Sequence, residues 1–296
     1  MHAPWLVAIA GVLAIAAPLQ AQSRWNNLQS NVKNSLGDAW DVWTSPLRGR
    51  TNDWITAAGV VGLSAAVSPL DDEVDRWAVD HRDDNALSVL DPFRPGGWAF
   101  SGKTITPVAV GALALSIATN NQRLQEGIFG CATSYGASCV VRTFVVYPLV
   151  ARTRPDPDRV NGPAAEQGDQ YHFDFPGSGN WGEHSLPGGH LANVTACITF
   201  LTSRYHLGKI VEPVLWATVA GVGVARVLDR AHWTSDQTLG LVFGYAVGKQ
   251  VALRSSRRNA KRTASSDTSD QSRRQSSLFI APGVTGTRLG WQIEFR

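Results

Sequence analysis

Three cysteines in 296 residues are too few for a disulfide framework. Cys131 and Cys139 stand about 12 Å apart along one continuous helix, outside disulfide reach, so buried free thiols are expected. Charge is scarce as well: 17% of residues are Asp, Glu, Lys or Arg, against 44% hydrophobic. That balance excludes a disordered chain and describes a globular or weakly membrane-embedded one. Uncharged runs mostly fall short of the roughly 18 residues of a membrane span, although 104–122 reaches that length. The apolar segments lack the alternation of half-buried strands. There is no internal repeat, and no tight metal motif such as HExxH.

What charge there is lies unevenly. Between Arg254 and Arg274 seven Lys or Arg face two Asp, which leaves the rest of the chain net negative against an overall +3. The basic character belongs to a tail, so a nucleic-acid-binding body is not indicated. Residues 1–21 read as a secretory signal, with an apolar stretch from Trp5 to Ala17, a break at Pro18 and Ala21 before the cut. An uncleaved anchor is the alternative. Residues 22–54, with Trp25, Trp40 and Trp43, form an amphipathic helical lead-in. Apolar segments follow at 54–70, 104–122, 128–151, 189–203, 213–228 and 237–253. They predict an all-α fold, a six-helix core bundle within a domain spanning 55–253. The connection 71–103 opens on DDEVDRWAVDHRDD and reads as a surface helix plus loop. The connection 152–188 is rich in Gly, Pro and Asp, and a loop of that length is usually functional. Residues 254–277 read as a disordered basic linker. Residues 278–296, with PGVTG before LGWQIEF, read as a short C-terminal β-hairpin.

Three clusters carry chemistry. VYPLVARTRPDP places Arg154 before Pro155 at a helix exit. SLPGGHLANV places Gly188, Gly189 and His190 at a helix start, where unpaired N–H groups and the dipole favour an anion. ARVLDRAHWTSD places Arg226, His232 and Asp236 between two helices. His232 and Asp236 are four apart and share a helical face. A carboxylate there can accept the imidazole Nδ1–H and leave Nε2 as a nucleophile or base. Arg154 and Arg226 offer planar forks suited to phosphate oxygens. Two histidines, two arginines and an aspartate at element ends suit phosphoryl transfer. A zinc site from His184, His190, His232 and Asp236 is the metal alternative.

The clusters resemble the three signature motifs of the type 2 phosphatidic acid phosphatase family, which also includes vanadium haloperoxidases and bacterial non-specific acid phosphatases. The patterns KxxxxxxRP, PSGH and SRxxxxxHxxxD appear as YPLVARTRP (147–155), PGGH (187–190) and ARVLDRAHWTSD (225–236). The resemblance implies His232 as the nucleophile that takes the phosphoryl group, Asp236 as its orienter and His190 as the acid for the leaving oxygen. It implies Arg154, Arg226 and the backbone at Gly188 and Gly189 as phosphate-binding, with no metal and no cofactor. Vanadate would be needed only by a haloperoxidase.

Tyr147 stands where the family has lysine, Gly188 and Ala225 where it has serine. Each charge-assisted bond lost from the first two is worth about 1.5–3 kcal/mol. Together they correspond to roughly two to four orders of magnitude in rate unless compensated. The Tyr147 hydroxyl, Arg152 and Ser185 are the candidate substitutes. The expected partner is a phosphorylated small molecule or lipid, with a membrane surface nearby and no nucleic acid. After a cleaved signal, six spans would put Arg154 and His190 on the cytoplasmic side, whereas membrane members of the family hold the site outside. A secreted protein of the envelope, periplasmic or at the membrane periphery, is therefore expected, with an integral six-span protein as the alternative. From a different class, an inactive envelope protein binding phosphorylated lipid would retain phosphate without turnover.

Overall fold

The structure, a computed structural model, describes residues 4–81, 83–94, 102–157, 168–177, 181–274, 276–283 and 286–293. Residues 1–3 of the expected signal, 158–167 and 178–180 of the long connection, and 284–285 of the expected hairpin turn lie outside these. The chain divides into two units, Met1–Ala252 and Leu253–Arg296.

The first unit is helical. It comprises α1 (Pro4–Thr44), α2 (Thr51–Val67), α3 (Asp71–His81), α4 (Gly102–Ala118), α5 (Gln122–Val141), α6 (Tyr147–Val150), α7 (Gly189–Arg204), α8 (Gly208–Leu228) and the start of α9 (Thr234–Arg274). A π turn, Arg142–Val146, joins α5 to α6. The Asn121 side chain caps α5 by accepting from the Leu124 N–H at 3.0 Å. Helix α7 lies at the centre. Leu191, Ala192, Asn193, Val194, Thr195 and Ala196 are consecutive and all buried, so it is enclosed on every side.

Two apolar clusters flank α7. One joins it to α1, α5 and α9 through Val42, Ala137, Ala196, Phe200 and Val247. The other joins it to α8 through Leu191, Val194, Ile198, Val219 and Val222. Polar cross-links add register: Asn31 of α1 donates to Gln125 of α5 at 3.2 Å, and Gln125 donates to the Ser116 carbonyl of α4 at 3.3 Å.

Cysteine pairing corrects the expectation of free thiols. Cys131 of α5 is disulfide-bonded to Cys197 of α7, with Cα atoms 4.3 Å apart, and Cys139 is the free thiol. The helix-length argument rightly excluded Cys131–Cys139 but could not see a second helix crossing at Cys131. That crossing is close because Gly130 gives way to the Phe200 ring, which occupies the space a Cβ there would need.

In α9, Gly240, Gly244 and Gly248 recur every four residues and so share one face. A Cβ on any of them would strike a backbone carbonyl of the preceding segment or α7: Gly188, Ala192 and Ala196 in turn. Two helices thus meet backbone to backbone along a stripe that ends at Gly188.

Three helical stretches are long and apolar enough to cross a bilayer: Thr51–His81, Gln122–Val150 and Gly208–Leu228. Their outward side chains include Ile55, Val61, Phe144, Leu149, Ile210 and Val214. Reading uncharged runs alone undercounted them, because these helices continue past isolated charges such as Arg123, Glu126 and Arg142.

In the second unit α9 continues as helix to Arg274, where a disordered linker was expected. Arg, Lys, Ala and Gln in that stretch are good helix formers, and a helix already under way extends into it without a new nucleation cost, although Ser, Thr, Asp and Asn there are weaker helix formers. Strands β1 (Ser276–Gly283) and β2 (Gly286–Ile293) pair antiparallel, with Leu278 opposite Trp291.

Gly244→Ala is expected to lower stability by about 1–3 kcal/mol, since backbone cannot move aside. Gly136→Ala in α5, with nothing within 4 Å of the added carbon, is expected to be neutral or stabilising by up to about 1 kcal/mol. Thermal or denaturant unfolding of both variants checks the contrast.

Candidate active site

The site forms where the chain leaving α6, the start of α7 and the turn from α8 into α9 meet. His232 lies in that last turn and is 2% exposed. Its Nδ1 lies 2.7 Å from the Ser185 carbonyl oxygen. A carbonyl only accepts, so Nδ1 carries the proton and Nε2 keeps its lone pair. Burial holds the His232 pKa well below the usual 6.5, and the nearby charges of Arg154, His190 and Arg226 act in the same direction. The imidazole is therefore neutral at neutral pH.

The partner of Nδ1 corrects the sequence reading, which gave it to Asp236. That carboxylate, fully buried in the first turn of α9, accepts instead from Arg152 Nη1 at 2.6 Å, from the Trp233 N–H at 3.0 Å and from the Ser185 hydroxyl. Burial raises its pKa while Arg152 and the other donors oppose the rise. All three partners are donors, so the ionised form fits the geometry. Spacing alone could not decide this, because the backbone of the long connection passes between the two side chains.

Ser185 is bracketed from three sides. Its N–H donates to the Arg152 carbonyl at 3.1 Å, its hydroxyl donates to Asp236, and its own carbonyl holds His232. Asp236 and His232 are thus linked through Ser185.

Arg152 is the hub. Besides Asp236 it donates to Asp71 Oδ2 at 2.8 Å, to Ser235 Oγ at 2.8 Å and to the Gln170 carbonyl at 2.9 Å. Asp71 also accepts from the Ser235 N–H at 2.9 Å. Neither Arg152 nor the Ser185 hydroxyl, both expected to substitute on the phosphate, is available for it. Asp71 was missed by sequence reasoning: in DDEVD it looks like one of several solvated acids in a helix's first turn. Its neighbour Asp75 pairs with Arg230 at 2.9 Å and steadies the turn before His232.

Arg154 is buried and donates to the Ala231 and His184 carbonyls at 2.7 and 2.8 Å, clamping two loops together. Arg226, in the last turn of α8, is also buried. His190, the second residue of α7, is exposed. No side chain caps α7, whose N-cap is Gly188. A serine at 188 has little room: its Cβ would fall 2.5 Å from Gln237 Oε1 and 3.1 Å from the Asp236 carbonyl oxygen. The glycine therefore suits this packing.

Tyr147 stacks on His184 with ring centroids 4.6 Å apart, and its hydroxyl lies 3.4 Å from the Pro187 carbonyl oxygen as donor. That hydroxyl also accepts from Arg142 Nη1 at 2.6 Å, so it too is engaged. Arg142 is a second residue the sequence reading passed over. The zinc grouping does not assemble, since Asp236 is turned onto Arg152 and Ser185. Among the described residues no three His, Cys, Asp or Glu side chains form a metal-binding group.

An apolar cavity of about 350 Å³ opens beside the site, lined by His190 and Arg226 together with Val194, Ile198, Leu215 and Val222. The Cys131–Cys197 bridge forms part of its wall.

Residues 128–260 match the model of the PAP2 superfamily, and the match contains all three clusters. That stretch belongs to the PAP2 superfamily. Members of the PAP2 superfamily are generally phosphatases acting on phosphorylated substrates, often lipids. No curated protein and no solved structure shows a significant match to the chain.

Removing Asp71 leaves Arg152 Nη2 and the Ser235 N–H without their buried acceptor, and breaking such a pair typically costs about 3–5 kcal/mol. Asp71→Ala is expected to lose that much in denaturant unfolding. His232 makes a second, pH-dependent contribution. Its lowered pKa means that the folded state resists a proton the unfolded state accepts. The associated stability is complete above about pH 6.5 and drains as pH falls below it. Melting temperatures measured from about pH 8 down to about pH 5 should fall less steeply in His232→Gln than in the parent.

Proposed function

We propose that the chain is a metal-independent phosphatase hydrolysing a phosphate monoester or diphosphate through a phosphohistidine. The observation that carries this is His232: buried, neutral, its Nδ1–H fixed on the Ser185 carbonyl, and close enough to Arg154, Arg226 and His190 for their charges to act on it. A neutral imidazole with a fixed tautomer is a competent nucleophile. Cations around it favour the negative charge that accumulates on a transferring phosphoryl group.

In this mechanism the Nε2 lone pair attacks phosphorus while the bond from phosphorus to the leaving oxygen breaks. His190, protonated, gives its proton to that oxygen. Water then attacks the phosphohistidine, His190 takes a proton from it, and the P–N bond breaks to release phosphate and neutral His232. Arg154, Arg226 and the uncapped start of α7 at Gly188 and Gly189 hold the non-bridging oxygens. Asp236 keeps Ser185, and so His232, in place.

The apolar cavity beside His190 and Arg226 supports a substrate with an apolar tail, and three span-capable helices support work at a membrane. The Cys131–Cys197 disulfide suits an oxidising envelope compartment. Whether the protein is peripheral, following removal of residues 1–21, or integral decides only how the tail arrives.

The test is phosphate release from phosphomonoesters, phosphatidic acid and prenyl diphosphates, with EDTA present. Release is expected from the parent and none above background from His232→Ala. Equal release from His232→Ala would overturn the mechanism. Phosphate binding without turnover would favour the non-catalytic reading, and loss with EDTA alone would bring back a metal.

A further inference from the structure

We propose that Arg142 binds the substrate phosphate, supplying from outside the first motif the cation that Tyr147 cannot. The inference rests on the phosphatase reading for its ligand and adds a residue that reading does not contain.

The backbone brings Arg142 to the site. In the π turn the Tyr147 N–H bonds to the Arg142 carbonyl, an i to i+5 link in place of i to i+4. Residues 142 and 147 therefore stand one above the other on the same side of the helix. Continued as regular α-helix, the chain would place them about 140° apart. The guanidinium reaches the start of α7: a Cβ added at Gly189 would overlap its Nη1, so the guanidinium packs directly against the Gly189 backbone. It arrives at the uncapped helix start on which an anion is expected to rest.

The bonding of Arg142 leaves donors to spare. Nη1 donates to the Tyr147 hydroxyl at 2.6 Å, Nη2 has only the Cys139 sulfur at 3.7 Å, and Nε–H has no protein partner. No salt bridge neutralises it among the described residues. The Tyr147 hydroxyl holds the guanidinium in position, and the ring lies 5.1 Å beneath it. Tyrosine at this motif position is then the support for the displaced cation.

Location adds weight. Arg142 sits within Gln122–Val150, a stretch apolar enough to span a bilayer, beside the exposed Phe144 and Val145. A charge kept in such a helix without a carboxylate partner is costly, and this is where functional charges are found.

Binding of inorganic phosphate, measured by calorimetry on the full-length protein, separates this proposal from the phosphatase reading because it does not depend on turnover. Arg142→Gln is expected to weaken phosphate binding roughly 10- to 100-fold with an unchanged melting temperature. Arg142→Lys should keep part of the affinity. Adding Tyr147→Lys to Arg142→Gln should recover it by returning a cation to the motif position. Phosphate bound as tightly by Arg142→Gln as by the parent overturns the proposal. So does a loss that comes with a lowered melting temperature and is not recovered by either lysine variant. A parent that binds no phosphate removes both readings. A parent that binds phosphate through Arg142 but shows no His232-dependent release leaves this proposal standing while the phosphatase mechanism fails.

Discussion

One buried guanidinium organises the site. Arg152 sits between Asp71 of α3 and Asp236 of α9, two carboxylates that would repel each other and pay heavily for desolvation without it. With both carboxylates, a serine hydroxyl and a backbone carbonyl as acceptors, its charge is compensated and four separate segments are fixed in register. The nucleophile candidate inherits that order at one remove. Asp236 holds Ser185, and the Ser185 carbonyl holds His232. The tautomer of one imidazole thus depends on an ion pair that never touches it.

Helix α7 is the second organising element, for a different reason. It is packed on its α9 side through glycine against backbone, and on its α5 side through a glycine–phenylalanine contact and a disulfide. None of these tolerates sliding, so Gly188, Gly189 and His190 are presented at a fixed height to the turn carrying His232. The apolar cavity lies along the same helix, so a single element carries both the uncapped helix start and one wall of the cavity.

Much of this was legible in the sequence. The helical segments followed from apolar runs without strand alternation, and His190, Arg154, Arg226, His232 and Asp236 stood out as candidates by their ordered pattern at or near helix ends. What escaped was whatever depended on a neighbour distant in sequence. His232 and Asp236 invited pairing by their spacing, yet the Ser185 backbone from a loop almost fifty residues earlier takes the imidazole. Cys197 was invisible as a partner because helix crossing, not helix length, sets its distance from Cys131. Asp71 looked like an ordinary surface acid until Arg152, itself expected on the phosphate, turned out to need it. The basic stretch after 253 was read by composition as unstructured, whereas a helix already under way carries through it.

The π turn has a consequence for how such chains evolve. A turn that holds one extra residue is what a helix does with a single-residue insertion, and it rotates everything upstream relative to everything downstream. A cation can then leave the register of its motif without leaving the space it serves. The vacated position becomes free to drift towards a residue that supports the newcomer. A pattern written with fixed gaps would count such a shift as a loss, although a guanidinium still reaches the start of α7.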